Sequence, residues 1–386
     1  MIQSLPNSHS VKTRLVEKLT HHIRKLADFF PALFFFGGFA WDALTIGRYV
    51  ATSDLFIFAA YLLLAGLILF MISRPSYLLA DTVKSIEKLP AYFPAWLKSI
   101  VAQVYKRLHY PNLPYFLLQF IFGNLLSALF ILYFKSSSHW LAWVMSLMLA
   151  VLLVANEYLE DEYKRFTLSW SLFGFCSMLL FNFALPFLIG SIHAVWFYLS
   201  TLLGAGFAYW LYAKTPNHFG SIKPVGVIAA LLIMAYMADM IPPVPLVKRD
   251  IAMAFELNKV NGQYQLSQQA ASWWVFWRKT TNDLEIVPGQ RVYCFSSVFA
   301  PRGLKTRLYH RWQHYDKKSG WQTLSRVGFS LSGGRDGGFR GYTFKQNLPT
   351  GDWRVSVETE NEKTVAVHEF TVSAVQMPVP QVLQLY

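Results

Sequence analysis

Ile241-Pro-Pro-Val-Pro-Leu246 divides the chain into two kinds of sequence. Proline lacks a backbone N–H and locks φ, so three prolines in four positions end any helix that arrives from the N-terminal side. They predict an extended, stiff exit. Upstream lie seven apolar segments, at about 29–48, 54–72, 115–134, 138–156, 168–189, 192–212 and 222–240. Each approaches the ~20 residues that a hydrocarbon core of ~30 Å requires. Downstream the period changes from helical to alternating. Strand candidates are 251–259, 272–278, 291–300, 305–315, 321–330, 339–345, 352–359 and 364–372. Turn chemistry separates several of them, at Asn261-Gly262, Pro288-Gly289, Ser319-Gly320 and Pro349-Thr-Gly351. The predicted fold is a polytopic α-helical membrane bundle of about seven spans followed by an all-β, antiparallel, immunoglobulin-like sandwich.

Composition agrees with that division. The chain has 386 residues, 54% hydrophobic and only 15% charged, whereas soluble domains carry about 25% charged residues. The net charge of +13 is split between the halves: residues 1–240 hold 17 Lys/Arg against 11 Asp/Glu, and residues 241–386 hold 18 against 11. Most of the first share lies in loops on one side of the bundle, so the positive-inside bias accounts for it and a nucleic-acid partner is not implied. Cys176 falls in an apolar run and Cys294 in a strand candidate. They are not expected to form a disulfide, so the C-terminal region folds on its own core.

The loops set the orientation. With the N-terminus inside, the cytoplasmic segments hold 15 Lys/Arg, and the opposite loops hold only Arg48 and Lys135. Seven crossings then place the C-terminal region in the periplasm. The first span, interrupted by Asp42, decides this parity. Residues 1–28 space Val11, Leu15, Leu19, Ile23 and Leu26 as an amphipathic cytoplasmic helix, with no cleavable signal pattern. Trp96, Leu97, Ile100, Val101, Val104, Tyr105 and Leu108 form a second apolar stripe, read as an interfacial helix over about 95–109 or as a helix packed on the bundle. The expected layout is therefore 1–28 cytoplasmic, 29–240 transmembrane, 241–246 linker and 247–386 periplasmic.

Residues with chemical potential are scattered. Lys305, Arg307, Tyr309 and Arg311 alternate along one strand and share a face, while Leu308, His310 and Trp312 share the other. The basic face suits an anionic glycan or a lipid phosphate, or is simply solvated. His310 and His314 share a face but sit ~13 Å apart along a strand, too far for one metal. Ser332-Gly-Gly-Arg-Asp-Gly-Gly-Phe-Arg340 offers Arg335 and Arg340 beside four glycines, an anion cradle or a long hairpin. It lacks the helix context and the lysine of a phosphate-binding P-loop. Trp273-Trp-Val-Phe-Trp277 places aromatics on both faces of one strand, for a sugar, for headgroups or for packing. Trp353, Val355 and Val357 are expected to face inward. In the spans, Asp42, Asn124 and Asn182 are candidates for a polar path, with Asp239 near a boundary. Glu157, Glu160, Asp161 and Glu162 form an acidic cluster, read as pairing with Lys164, Arg165 and nearby basic loops or, alternatively, as a divalent-ion site. No catalytic triad, paired-carboxylate or metal-ligand spacing stands out, so no cofactor or metal is expected.

Several stretches of the C-terminal region carry a resemblance. The Ile241-Pro-Pro-Val-Pro-Leu exit, Val292-Tyr-Cys-Phe-Ser-Ser-Val-Phe-Ala-Pro301, Tyr309-His-Arg-Trp312, Ser332-Gly-Gly-Arg-Asp-Gly-Gly338 and Gly351-Asp-Trp-Arg-Val355 resemble a C-terminal β domain of bacterial, mainly proteobacterial, membrane proteins. That domain is catalogued as being of unknown function. The resemblance covers about 241–372 and, more loosely, the seven-span layout. It implies an inner-membrane location and a bacterial source. It brings no reaction and no functional residue.

The expectation from sequence is a non-enzymatic inner-membrane protein. Its periplasmic sandwich would bind an anionic glycan, a lipid or an envelope protein through Lys305, Arg307, Tyr309, Arg311, Arg335 and Arg340. Membrane lipids are expected partners, and no oligomeric state is implied. The alternative is a membrane-embedded enzyme or transporter for a lipid-linked or anionic substrate, built around Asp42 and the polar span residues.

Overall fold

The computed structural model describes residues 52–73, 113–137, 140–215, 219–261, 263–271, 275, 280–300, 306–331 and 339–386. The expected first span, the amphipathic N-terminal helix and the 95–109 helix lie outside the described residues.

Helices form in the apolar runs, as α1 (Thr52–Ile72), α2 (Leu113–Ser136), α3 (Trp140–Asn156), α5 (Thr167–Ile189), α6 (Ala194–Ala213) and α7 (Lys223–Met237), and the acidic stretch before α5 adds the one-turn α4 (Glu160–Tyr163). Four of them, α1, α2, α5 and α6, are long and apolar enough to cross a membrane. Helices α3 and α7, at 17 and 15 residues, are shorter than the spans expected there. At 1.5 Å per residue they reach about 26 and 22 Å, short of a ~30 Å hydrocarbon core. Helix α7 stops because Asp239 adopts φ 58° and Met240 N–H turns back to the Ala235 carbonyl, so the helix closes before the prolines begin.

The helices are apolar on all sides. Their inner faces form one core around Phe122, Leu125, Trp170 and Phe173. Their outer faces leave Leu63, Phe120 and Leu202 about 60% or more exposed. Gly204 of α6 lies where an added Cβ would come within 2.6 Å of the Met178 backbone on α5. A small residue at the contact permits this close approach of two backbones.

Among the described residues the β-rich region has eleven strands: β1 (Val247–Ala254), β2 (Glu256–Val260), β3 (Gln263–Gln269), β4 (Asp283–Ile286), β5 (Arg291–Phe299), β6 (Thr306–Asp316), β7 (Gly320–Leu331), β8 (Phe339–Gln346), β9 (Gly351–Thr359), β10 (Thr364–Ala374) and β11 (Gln381–Leu385). Strands β5 to β10 match the sequence expectation to within two residues at each end. Strands β3, β4 and β11 were not expected. The first is mostly glutamine, the second has four residues, and the third follows a proline-rich stretch. Of the 272–278 candidate only Val275 is described, and it is buried.

Two sheets, β1-β5-β8 and β4-β10-β9-β6-β7, pack face to face, and a third, β11-β3-β2, covers the outer side of the first. The core between the first two holds Val292, Cys294, Trp312, Trp353, Val355 and Phe370. The expected all-antiparallel sandwich is modified by one parallel pair, β10 with β4. The β6–β7 hairpin turns at Gly320, φ 70°, after Asp316 caps the turn by accepting from Lys318 N and Ser319 N at 2.8 and 2.9 Å.

The proline segment corrects the expectation of an extended exit. Ile241 to Leu246 are all buried. Val244 N–H donates to Pro242 O and Leu246 N–H to Pro243 O, so the backbone turns twice. Ile241 and Val244 join the helical core, whereas Leu246 joins a β core that also holds Ile192 from the α5–α6 loop. Apolar side chains between the prolines give this segment more to bury than an extended spacer would.

Candidate functional site

Strand β6 places Arg307, Tyr309, Arg311 and Gln313 on the outer face of the five-stranded sheet. Leu308, His310 and Trp312 point into the core and are fully buried, as the alternation requires. Trp312 Nε1 donates to Thr343 Oγ1 at 3.0 Å. The Thr343 hydroxyl lies 2.9 Å from His310 Nδ1, and Ser296 Oγ lies 2.8 Å from Nε2. These partners satisfy a neutral imidazole whose pKa burial lowers to about 3. His310 is thus a core residue. His314 lies against the Trp353 ring, at 5.0 Å between centroids.

The outer face is where charge converges. Strand β9 runs antiparallel to β6 and sets Glu358 opposite Tyr309, Ser356 opposite Arg311 and Arg354 opposite Gln313. Glu358 is 3% exposed. Arg311 Nε lies 2.9 Å from its Oε1, and Arg326 Nε of β7 lies 3.5 Å from its Oε2. Arg326 also donates to Thr359 O at 3.0 Å and stacks over Tyr309 at 3.9 Å. Arg311 reaches Glu362 at 3.5 Å. Burial raises the Glu358 pKa to about 7, against the pull of Arg311 and Arg326. A carboxylate buried this deeply is tolerated only because two guanidinium groups face it.

The helix ends close this face into a cleft. Trp140 and Leu141, at the start of α3, and Asp239, just past α7, stand across from Arg311, Gln313, Arg354, Ser356, Glu358 and Glu369 around a space of about 640 Å³. Lys363, in the turn between β9 and β10, holds the two walls together. Its ammonium donates to the Tyr236 carbonyl, lies 3.9 Å from Asp239 Oδ1 and sits 4.6 Å above the Tyr236 ring. A cation at the C-terminus of α7 satisfies carbonyls that the helix leaves open. Two arginines and three carboxylates therefore line one polar cleft where apolar helices end.

The expected anion surface is dispersed. Arg311 is in the cleft, paired with Glu358. Arg307 is exposed on the same strand face. Tyr309 is occupied by Arg326. Arg340 stands on β8, opposite Ser297, in the other sheet. Its neighbour Phe339 is buried in the core between the sheets, so Arg340 points to the far side of the sandwich. The structure does not bring Arg311 and Arg340 together. Lys305, Arg335, Asp42 and the tryptophans of 273–277 lie outside the described residues.

In the spans, Asn124 donates back to Phe120 O in its own helix at 3.0 Å. Asn182 is buried and accepts from Thr201 at 3.2 Å, linking α5 to α6. Glu162 pairs with Arg165 at 3.2 Å, as the acidic cluster implied.

Sequence reasoning missed Glu358, Arg326, Arg354, Lys363 and Trp140. The signal for the β9 residues was present. If Trp353, Val355 and Val357 face inward, Arg354, Ser356 and Glu358 must face outward.

Residues 305–372 match a family described as a protein of unknown function (DUF2914). The matched stretch contains every β residue of the cleft named above. No curated protein matches the chain. Among solved structures the chain is similar to an immunoglobulin-like protein from Pseudomonas aeruginosa, at 10% identity and TM-score 0.18, over 32% of this chain and 97% of that one. It is similar to a β-glucosidase from Listeria innocua in complex with gluconolactone, at 11% identity and TM-score 0.19, over 34% of this chain and 17% of the enzyme. It is also similar to a Pseudomonas fluorescens alkylpurine DNA glycosylase bound to DNA, at 10% identity and TM-score 0.18, over 82% and 98% of the two chains. Likenesses at these scores carry nothing about activity or ligand. The chain thus ends in a β-rich region that contains a segment of a family of unknown function.

Proposed function

We propose that this chain is a multi-pass protein of a bacterial inner membrane whose periplasmic β-rich region binds an envelope component at the cleft beneath the five-stranded sheet. The group bound carries negative charge. The observation that carries the reading is the buried polar wall of the cleft. Ser356 and Glu358 are 6% and 3% exposed on the sheet face turned away from the core. Packing alone favours apolar residues at such positions, because a buried charge needs compensation. Arg311 and Arg354 face the same space and supply guanidinium forks suited to phosphate or carboxylate oxygens.

The topology rests on sequence and packing together. Fifteen Lys/Arg in one set of loops oppose two in the other. The α2–α3 turn, the α5–α6 loop and the end of α7 all lie at the end of the bundle that meets the sheets. In this reading the four long helices, the shorter α3 and α7 and the expected span at 29–48 make seven crossings, with the N-terminus in the cytoplasm. A C-terminal alkaline phosphatase fusion is then active, and an inactive fusion overturns the topology. For binding, the full chain is extracted in mild detergent and examined by native mass spectrometry. The wild type retains a phosphate- or carboxylate-bearing molecule, and the double variant Arg311→Gln/Arg354→Gln loses it by roughly tenfold or more, more steeply at low salt. A wild-type chain that holds no such molecule, or a double variant that holds it equally well, overturns the reading.

A further inference from the structure

The charges of the cleft do not describe a plain anion site. Asp239, Glu358 and Glu369 line it together with Arg311 and Arg354. Glu358 is engaged by Arg311 and Arg326. Arg354 and Glu369 stand directly opposite each other in β9 and β10. Cross-strand neighbours of opposite charge usually close into a pair. Here Arg354 turns instead toward Gln313, donating Nε to Oε1 at 3.0 Å, and stacks on Trp321 at 4.4 Å. Glu369 remains exposed; its charge acts on Arg354, but no hydrogen bond or close ion pair joins the two. An arginine and a carboxylate are thus held side by side without bridging. Trp140, 76% exposed at the start of α3, stands at the rim, where an indole favours the boundary between acyl chain and water.

We infer that the cleft takes a phospholipid headgroup carrying both a phosphate and a primary ammonium. This rests on the cleft being a binding site at all. The phosphate lies against Arg354 and Arg311, and the ammonium donates to Glu369 and Asp239. A purely anionic headgroup leaves Glu369 without a donor and adds negative charge beside Glu358 and Asp239, which Arg311, Arg326 and Lys363 already face. A quaternary ammonium brings charge but no N–H donor, so it forgoes the charge-assisted hydrogen bonds that a primary amine makes.

The test uses the full chain in detergent, titrated with phosphatidylethanolamine, phosphatidylglycerol and phosphatidylcholine and read by native mass spectrometry. Phosphatidylethanolamine is expected to bind about tenfold more tightly than either competitor, the size of one good charge-assisted hydrogen bond. The variant Asp239→Asn/Glu369→Gln is expected to abolish that preference while still binding phosphatidylglycerol. Asparagine tolerates the positive φ of residue 239, and residue 369 is exposed, so the variant keeps the fold. If phosphatidylglycerol binds best, or phosphatidylcholine equals phosphatidylethanolamine, the ammonium is not recognised and the inference is overturned, while the binding reading stands. If soluble phosphoethanolamine competes as well as the lipid, the lipid source is overturned. If no lipid or phosphoethanolamine binds better to the wild type than to Arg311→Gln/Arg354→Gln, the inference and the binding reading fail together.

Discussion

The helical part and the β-rich part solve burial in opposite ways. Each helix is apolar on the side that faces its neighbours and on the side that does not: Phe122 is fully buried on α2, while Phe120, two residues away, is 65% exposed. The strands alternate. On β9, Val355 and Val357 enter the core, and Arg354, Ser356 and Glu358 take the other face. A helix apolar all round suits lipid or a large core. A strand with one polar face belongs next to water. Where the two parts meet, the polar face of the sheet is turned toward the helix ends. The polar cleft therefore forms at that junction, outside either core.

The largest expected effect separates the two cores. Trp312→Ala removes a fully buried ring and the donor to Thr343, and a buried Trp→Ala change costs about 3–5 kcal/mol. Phe120→Ala, on the outer face of α2, is expected within about 0.5 kcal/mol of wild type in a lipid environment. Hydrogen exchange on the full chain reads both. Loss of protection in β5 to β9 for the first variant alone supports the contrast, and equal losses in both variants would break it.

A smaller effect tests the buried carboxylate. The folded pKa of Glu358, about 7, lies above its ordinary value of 4.5. The folded state therefore holds a proton that the unfolded chain has already released. This contribution is fully present below pH 4.5, declines as pH rises to about 7, and is then constant. At 1.36 kcal/mol per pH unit the loss is of order 3 kcal/mol. The imidazoles of buried His310 and half-buried His368, lowered to about 3 and 4, act in the opposite sense and weaken the fold as pH falls below 6.5. Comparison with Glu358→Gln isolates the carboxylate. The stability of wild type relative to the variant should fall between pH 4.5 and 7, and a flat difference would show that the arginines keep Glu358 ionised throughout.

The smallest effect sharpens the junction. Lys363→Met keeps the aliphatic stem over Tyr236 but removes the ammonium that caps α7 and faces Asp239. A helix-end cation of this kind contributes about 1 kcal/mol. Faster exchange at residues 236–246, with β-core protection unchanged, is the expected result. If β6 and β9 also lose protection, Lys363 belongs to the sheet core and not to the seam between the parts.

Much of this was legible in the sequence because it is periodic and local. Apolar runs set the six described helices of 15 residues or more. Alternation set strands β5 to β10 and the inward faces of β6 and β9, down to Leu308, Trp312, Trp353 and Val357. What stayed illegible depends on partners far apart in the chain. Arg311 and Glu358 are 47 residues apart, and their contact exists only because β6 lies between β7 and β9. Lys363 and Tyr236 are 127 residues apart. The early ends of α3 and α7, the polar strand β3 and the folded proline segment likewise follow from what each meets, not from its own pattern. Side-chain periodicity is fixed by backbone geometry, so the sequence alone determined which residues share a face. Which faces meet is decided by burial summed over the whole chain, so the cleft, its buried carboxylate and its unbridged arginine–glutamate pair were decided only by the tertiary structure.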